Sequence, residues 1–193
     1  MYKTFFLLHF LGAILMFTAV GINLAGMLGM VFSKETKMVR FCSIWTLRMG
    51  KFLPFTIILL LVSSLYMVFA KWDWELPWVD ASLVMLLIIS VTNITIDFPR
   101  LKVIHRAVNA ESGSTHSREC TAKVRDHVLW NSVSIMTMEV AAIIHIMIEK
   151  LGIVGSLITL AIAFIVGLLF SKTVLHLANR LNPTVVKNKV VNF

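Results

Sequence analysis

Apolar residues along this chain gather into five long stretches, at residues 5–32, 52–70, 78–96, 128–148 and 153–174. Charged and polar residues collect between them. Each stretch is long enough to cross a bilayer core, which takes about 20 apolar residues of helix. The pattern predicts an all-α polytopic membrane protein: one bundle of five transmembrane helices, covering residues 1–193 as a single domain, with the lipid bilayer as its principal partner.

Composition agrees. Hydrophobic residues make up 58% of the sequence and the mean hydropathy is +0.85, beyond the range of a soluble domain. The formal charge of +8 would by itself suit a binder of polyanions, but its placement argues for topology and against nucleic acid. Of the 18 Lys and Arg residues, 15 lie in three segments, at residues 33–51, 98–126 and 171–193. Outside them stand only Lys3, Lys71 and Lys150, where acidic Asp73, Glu75, Asp80 and Glu149 also gather. Cytoplasmic loops carry the Lys/Arg excess. The loops 33–51 and 98–126 and the tail 175–193 are therefore expected inside, with the N-terminus outside and the C-terminus cytoplasmic. The expected location is a bacterial cytoplasmic (inner) membrane. Lys3 followed by an apolar run also resembles a secretory signal. The apolar character continues to Phe32, however, and five positive charges follow, so an uncleaved first span is expected.

Smaller features refine this outline. Gly21, Ala25 and Gly29 repeat the small-xxx-small spacing that lets helices approach closely in lipid. Packing within the bundle is the first reading, and a homo-oligomer contact the alternative. Residues 41–51 suit either an interfacial amphipathic helix or an inward extension of the second span. Pro54 is expected near the start of that span, where a missing donor costs little. Trp72, Trp74 and Trp78 form an aromatic belt at an interface, with a ligand-stacking platform as the alternative. Pro99 either interrupts a helix or opens the next, residues 101–110 are basic and amphipathic, and Asn182-Pro183 ends a short helix in the tail. Cys42 and Cys120 fall on the reducing side, so no disulfide is expected. His116 and Cys120 are at most half a metal site within a Ser/Gly-rich linker.

Ionisable groups inside spans are costly in lipid and each needs a partner or a cavity. Three stand out: His9 in the first span, and Glu139 and His145 in the fourth. The alternating topology puts His9 and His145 at matching depth, about one turn below the outer surface. Two imidazoles at one level are a ligand pair acceptable to haem b iron or, alternatively, to copper. Interfacial imidazoles bonded to backbone or water are the plainer reading. Asn131, Ser134, Met138, Ala141 and His145 follow a three-and-four spacing that predicts an inward stripe. Lys3 and Lys150 lie close enough in sequence to meet haem propionates, or to snorkel to the interface. Glu139, Asn93, Asn131 and Asp97 are expected to form an internal polar network, with Glu139 either a structural carboxylic acid or a proton relay. Most of the eleven methionines read as apolar filling. No phosphate-binding loop, nucleophile elbow or zinc-protease motif is present.

The run Leu8-His9-Phe10-Leu11-Gly12-Ala13-Ile14, the turn Trp72-Asp73-Trp74…Pro77-Trp78 and the span order through Ala110 resemble a small bacterial membrane-protein family. That family is related to the copper-resistance D proteins and the HemJ-type haem-containing oxidases. The resemblance implies a helical bundle with His9 available to haem or a metal. The chain departs from the pattern at Met16-Phe17-Thr18-Ala19, and it lacks an intramembrane lysine of the HemJ type. Two other functions fit the residues: a small proton-coupled transporter using Glu139 and Asp97, and a structural or assembly factor using the small-residue face and basic loops.

Overall fold

A computed structural model describes residues 1–71, 76–115 and 117–181. Trp72 and Trp74 of the expected aromatic belt, His116, and Asn182-Pro183 with the rest of the tail lie outside the described residues. The described chain is an all-α bundle without strands, and its helices are α1 (Tyr2–Phe32), α2 (Thr36–Lys71), α3 (Pro77–Thr92), a π turn (Asn93–Asp97), α4 (Phe98–Ala110), α5 (Arg118–Val124), α6 (His127–Glu149) and α7 (Ile153–Leu181). Five helical segments are long and apolar enough to cross a membrane, α3 to α4 counting as one and α5 to α6 as another. Phe6, Phe10 and Phe17 of α1 and Ile158, Ile162, Ile165 and Leu169 of α7 are each between 54% and 58% exposed. So much outward apolar surface is stable only against lipid, which makes this a multi-pass membrane protein.

Small residues set the closest helix contacts. A Cβ on Gly26 would stand 2.5 Å from Thr46 Cγ2, and one on Gly29 2.6 Å from Cys42 Sγ, so α1 and α2 pack backbone to side chain near their shared turn. At the other end of this hairpin Phe5 stacks on Tyr66 at 3.7 Å between centroids. Of the predicted small-residue face, Gly29 is consumed inside the chain, whereas Gly21 and Ala25 are exposed. Gly167 performs the same service between α7 and α6, where a Cβ would meet the Ile135 backbone at 2.6 Å.

One proline, Pro54, departs from expectation, and another, Pro99, stands in the first turn of α4, one of the two places expected for it. Pro54 sits midway along the continuous helix α2, not near its start, because residues 36–51 and the apolar span form one helix. Pro99 lies within a helical segment that continues to Ala110. Proline lacks an N–H and its ring crowds the carbonyl four residues earlier. The π turn absorbs this: the Phe98 N–H donates to the Asn93 carbonyl, five residues back, widening the helix just before the ring.

The interior divides along the bundle axis. One apolar cluster includes Met27, Met30, Val39, Leu101, Trp130 and Val133. It fills the end where α1 turns into α2 and where α4 and α5 close the bundle, here termed the basic end. A second cluster, with Met16, Leu53, Ile89, Met136 and Val140, fills the middle. A third, of Val68, Trp78, Val79 and Ile146, lies at the opposite end, named the histidine end after His9.

Candidate functional site

Polar groups interrupt the apolar interior between the first two clusters. On α1, Asn23 lies between Val20 of the middle cluster and Met27 of the basic-end cluster. From α3 to α4, Asn93 and Asp97 lie between Ile89 and Leu101. On α6, Ser132 and Ser134 sit at the junction, and Glu139 falls between Met136 and Val140. All are buried: Asn23 and Glu139 are 2% exposed, Asn93 1% and Asp97 0%. Each presents an atom without a hydrogen-bond partner, namely Asn23 Oδ1, Asn93 Nδ2, both Asp97 oxygens, Ser132 Oγ, Ser134 Oγ and Glu139 Oε2. Native interiors leave few such groups, and each calls for an explanation such as bound water, an ion or catalytic use.

The π turn places the first carboxyl. Asn93 and Asp97 are its first and last residues, four apart and about one helical turn from each other. The Ser132 hydroxyl of α6 lies beside the Asp97 carboxyl without closing a hydrogen bond of normal geometry. Arg100, also near Asp97, is held by an ion pair to Asp126 at an open cleft of about 210 Å³. On α6, Glu139 follows Ser132 by seven residues, or about 10 Å toward the histidine end. Because α3 and α6 run in opposite directions, Asn93 falls between the levels of Asp97 and Glu139. The polar groups thus descend in steps from a partly exposed ion pair at the basic end to the centre of the bundle.

At the histidine end, His9 faces α2. Its Nδ1 lies 3.0 Å from Ser64 Oγ and 3.4 Å from Ser63 Oγ. The Ser63 hydroxyl already donates to the Leu59 and Leu60 carbonyls, so toward the ring it can only accept from Nδ1–H, whereas the nearer Ser64 hydroxyl can donate to Nδ1 or accept from it. When Nδ1 carries the proton, Nε2 is the ring nitrogen with a free lone pair. His9 lines a largely enclosed cavity of about 40 Å³ together with Ser64, Met16, Met67 and Met147.

The predicted histidine pair is not assembled there. His145 is exposed, and α6 contributes Ile143, Ile144 and Met147 to the cavity instead. The reason is rotational. Ile143 and Ile146 are the buried residues of this turn, and His145 lies roughly 200° around the helix from Ile143. The predicted stripe splits accordingly: Asn131 and Ser134 face α7, where Ser171 Oγ donates to Asn131 Oδ1 at 2.7 Å, while Ala141 and His145 face outward. Asn131 therefore belongs to a separate helix–helix bond and not to a network with Glu139, Asn93 and Asp97. Lys3 and Lys150 are both exposed. Lys150 ends α6 in a left-handed conformation with φ 50°, which is a capping role. A cavity of this size holds a few waters at most and does not fit a porphyrin.

Sequence reasoning missed Ser63 and Ser64 as partners of His9, Ser132 as the neighbour of Asp97, and Met67 at the cavity. The Ser-Ser pair inside an apolar span was its visible signal, since buried hydroxyls need partners. Among the described residues no group of three or more His, Cys, Asp or Glu side chains is gathered as for a metal ion. Comparison with protein-family models, with curated proteins and with solved structures returned no match. Function is therefore argued from the chemistry of these side chains.

Proposed function

We propose that this is a proton-coupled transporter of the bacterial cytoplasmic membrane, with its N-terminus outside, in which Asp97 and Glu139 carry the proton. The observation that carries the reading is the pair of fully buried carboxyls with unpaired oxygens, set beside orphaned amides and hydroxyls in the middle of a membrane bundle. An ionised carboxyl in such surroundings costs several kcal/mol unless paired, so proteins keep one there chiefly for use. The π turn adds support, because such turns concentrate at working sites. The cleft at Arg100 and Asp126 supplies access from the basic end. Asp97 and Glu139, about 10 Å apart along the axis, would exchange a proton through intervening water bonded to Asn93 and Ser132.

The test is proton uptake by proteoliposomes under an imposed potassium diffusion potential, read by an internal pH dye. The wild type is expected to take up protons well above protein-free vesicles. Glu139→Gln and Asp97→Asn are each expected to lower the rate at least tenfold while leaving the protein monodisperse. Wild-type vesicles no leakier than empty ones would overturn the proposal and favour a structural or assembly role.

A further inference from the structure

The cavity beside His9 has a composition that the polar seam does not explain. It is mostly enclosed, and its otherwise largely aliphatic lining includes one imidazole, the hydroxyls of Ser64 and Ser82, and three methionines, Met16, Met67 and Met147. Three of the chain's eleven methionines thus border a space only about 40 Å³ in volume. They arrive from three different helices, α1, α2 and α6, so the gathering is a product of tertiary packing and not of a local run.

We infer that this cavity is a binding site for a soft monovalent metal ion, Cu(I) or its mimic Ag(I), with His9 Nε2 and the sulfurs of Met16, Met67 and Met147 as the donor set. Thioether and imidazole donors select Cu(I) over the harder divalent ions. No acidic side chain lines the cavity, which removes the oxygen donors that magnesium, calcium or manganese would need. The direction of the helices aims the sulfurs together. Long side chains on a helix lean toward its N-terminus. Met16 on α1 therefore reaches up toward His9, seven residues earlier, whereas Met67 and Met147 near the ends of α2 and α6 reach down into the bundle. Nδ1 of His9 faces the two serine hydroxyls, and the tautomer with the proton on Nδ1 leaves Nε2 open to a metal, the arrangement usual for metal-binding histidines. Met67 and Met16 are 1% and 2% exposed, so an ion here would sit largely out of contact with water.

The experiment loads detergent-purified full-length protein anaerobically with an acetonitrile complex of Cu(I). It then measures the copper retained against a competing bicinchoninate chelator. Because the free thiols of Cys42 and Cys120 would compete for Cu(I) as soft donors, the protein carries Cys42→Ser and Cys120→Ser throughout. One equivalent is expected to be retained, with X-ray absorption showing both sulfur and nitrogen scatterers. Met67→Leu and Met147→Leu conserve side-chain volume and are tolerated in cores. Each is expected to weaken retention at least tenfold, and His9→Ala to abolish it. Glu139→Gln should leave retention unchanged, which separates this site from the proton path. No retained copper, or retention indifferent to the His9 and Met substitutions, would overturn the inference.

Discussion

The two ends of the bundle solve the same packing problem differently. At the basic end, polar side chains, most of them from outside the apolar stretches, lock the helices together. Arg40 donates to the carbonyls of Val108 and Glu111, and Arg125 reaches Asn179 Oδ1 and the Ala178 carbonyl. The Trp130 indole N–H donates to the Val124 carbonyl at 2.9 Å, and Ser43 Oγ meets His105 Nδ1 at 3.0 Å. Among the described residues, the histidine end has a smaller cluster, the Phe5–Tyr66 stack, the His9–Ser64 hydrogen bond and a cavity. The difference teaches that basic residues serve the fold itself: Arg40 and Arg125 bridge helices that the apolar clusters alone would leave joined only by side-chain packing.

That contrast is open to measurement. The largest effect should come from Trp130→Ala, which removes a fully buried ring and strands the Val124 carbonyl. A loss of about 3–5 kcal/mol is expected, seen as a sharp fall in thermal stability in detergent. Phe5→Ala at the histidine end should cost clearly less, and equal losses would erase the distinction. Next is Arg125→Ala, whose hydrogen bonds from a charged group are expected to be worth about 1.5–3 kcal/mol, again read as a lowered melting temperature. Asp97→Asn probes the seam between the ends. It exchanges a buried unpaired carboxyl for a neutral amide and should raise stability by about 1–2 kcal/mol while stopping proton flux, the usual exchange of stability for function. A destabilised variant would mean that Asp97 is structural. The smallest effect is Lys150→Gly, which relieves a left-handed residue at the end of α6 and should add at most about 1 kcal/mol, without changing copper retention.

Much of this was legible in the sequence, and the boundaries show where legibility ended. The first, fourth and fifth apolar stretches match α1, α6 and α7 within a few residues at most of their ends, although α7 runs on to Leu181. The second and third miss 16 residues before Phe52 and 14 after Ile96 that are also helical. Hydropathy records the thickness of the bilayer, whereas a helix continues as long as its backbone bonds and packing allow. Asn93, Asp97 and Glu139 were expected inside the bundle, and they are buried there, because an ionisable group amid apolar neighbours has nowhere else to go. The partner of His9 was not legible. On α6 a three-and-four spacing fits the stripe ending at His145 and equally the buried series Ser132, Met136, Glu139, Ile143 and Ile146. A helix that is apolar on every side has no periodicity that distinguishes its faces.

The sequence by itself determined the class of protein, the number of apolar spans, the alternation of basic and acidic flanks, and that Asn93, Asp97 and Glu139 are interior. Those follow from the cost of placing charges and unbonded backbone in lipid, a cost set residue by residue. Only the tertiary structure decided that His9 meets Ser63 and Ser64 and shares a cavity with three methionines instead of pairing with His145, that Asp97 closes a π turn beside Ser132, and that Asn131 of α6 accepts a hydrogen bond from α7. Those depend on the rotation of each helix about its own axis. In a bilayer, where lipid and protein interior are equally apolar, that rotation is set by close packing at Gly26, Gly29 and Gly167 and by a few buried hydrogen bonds.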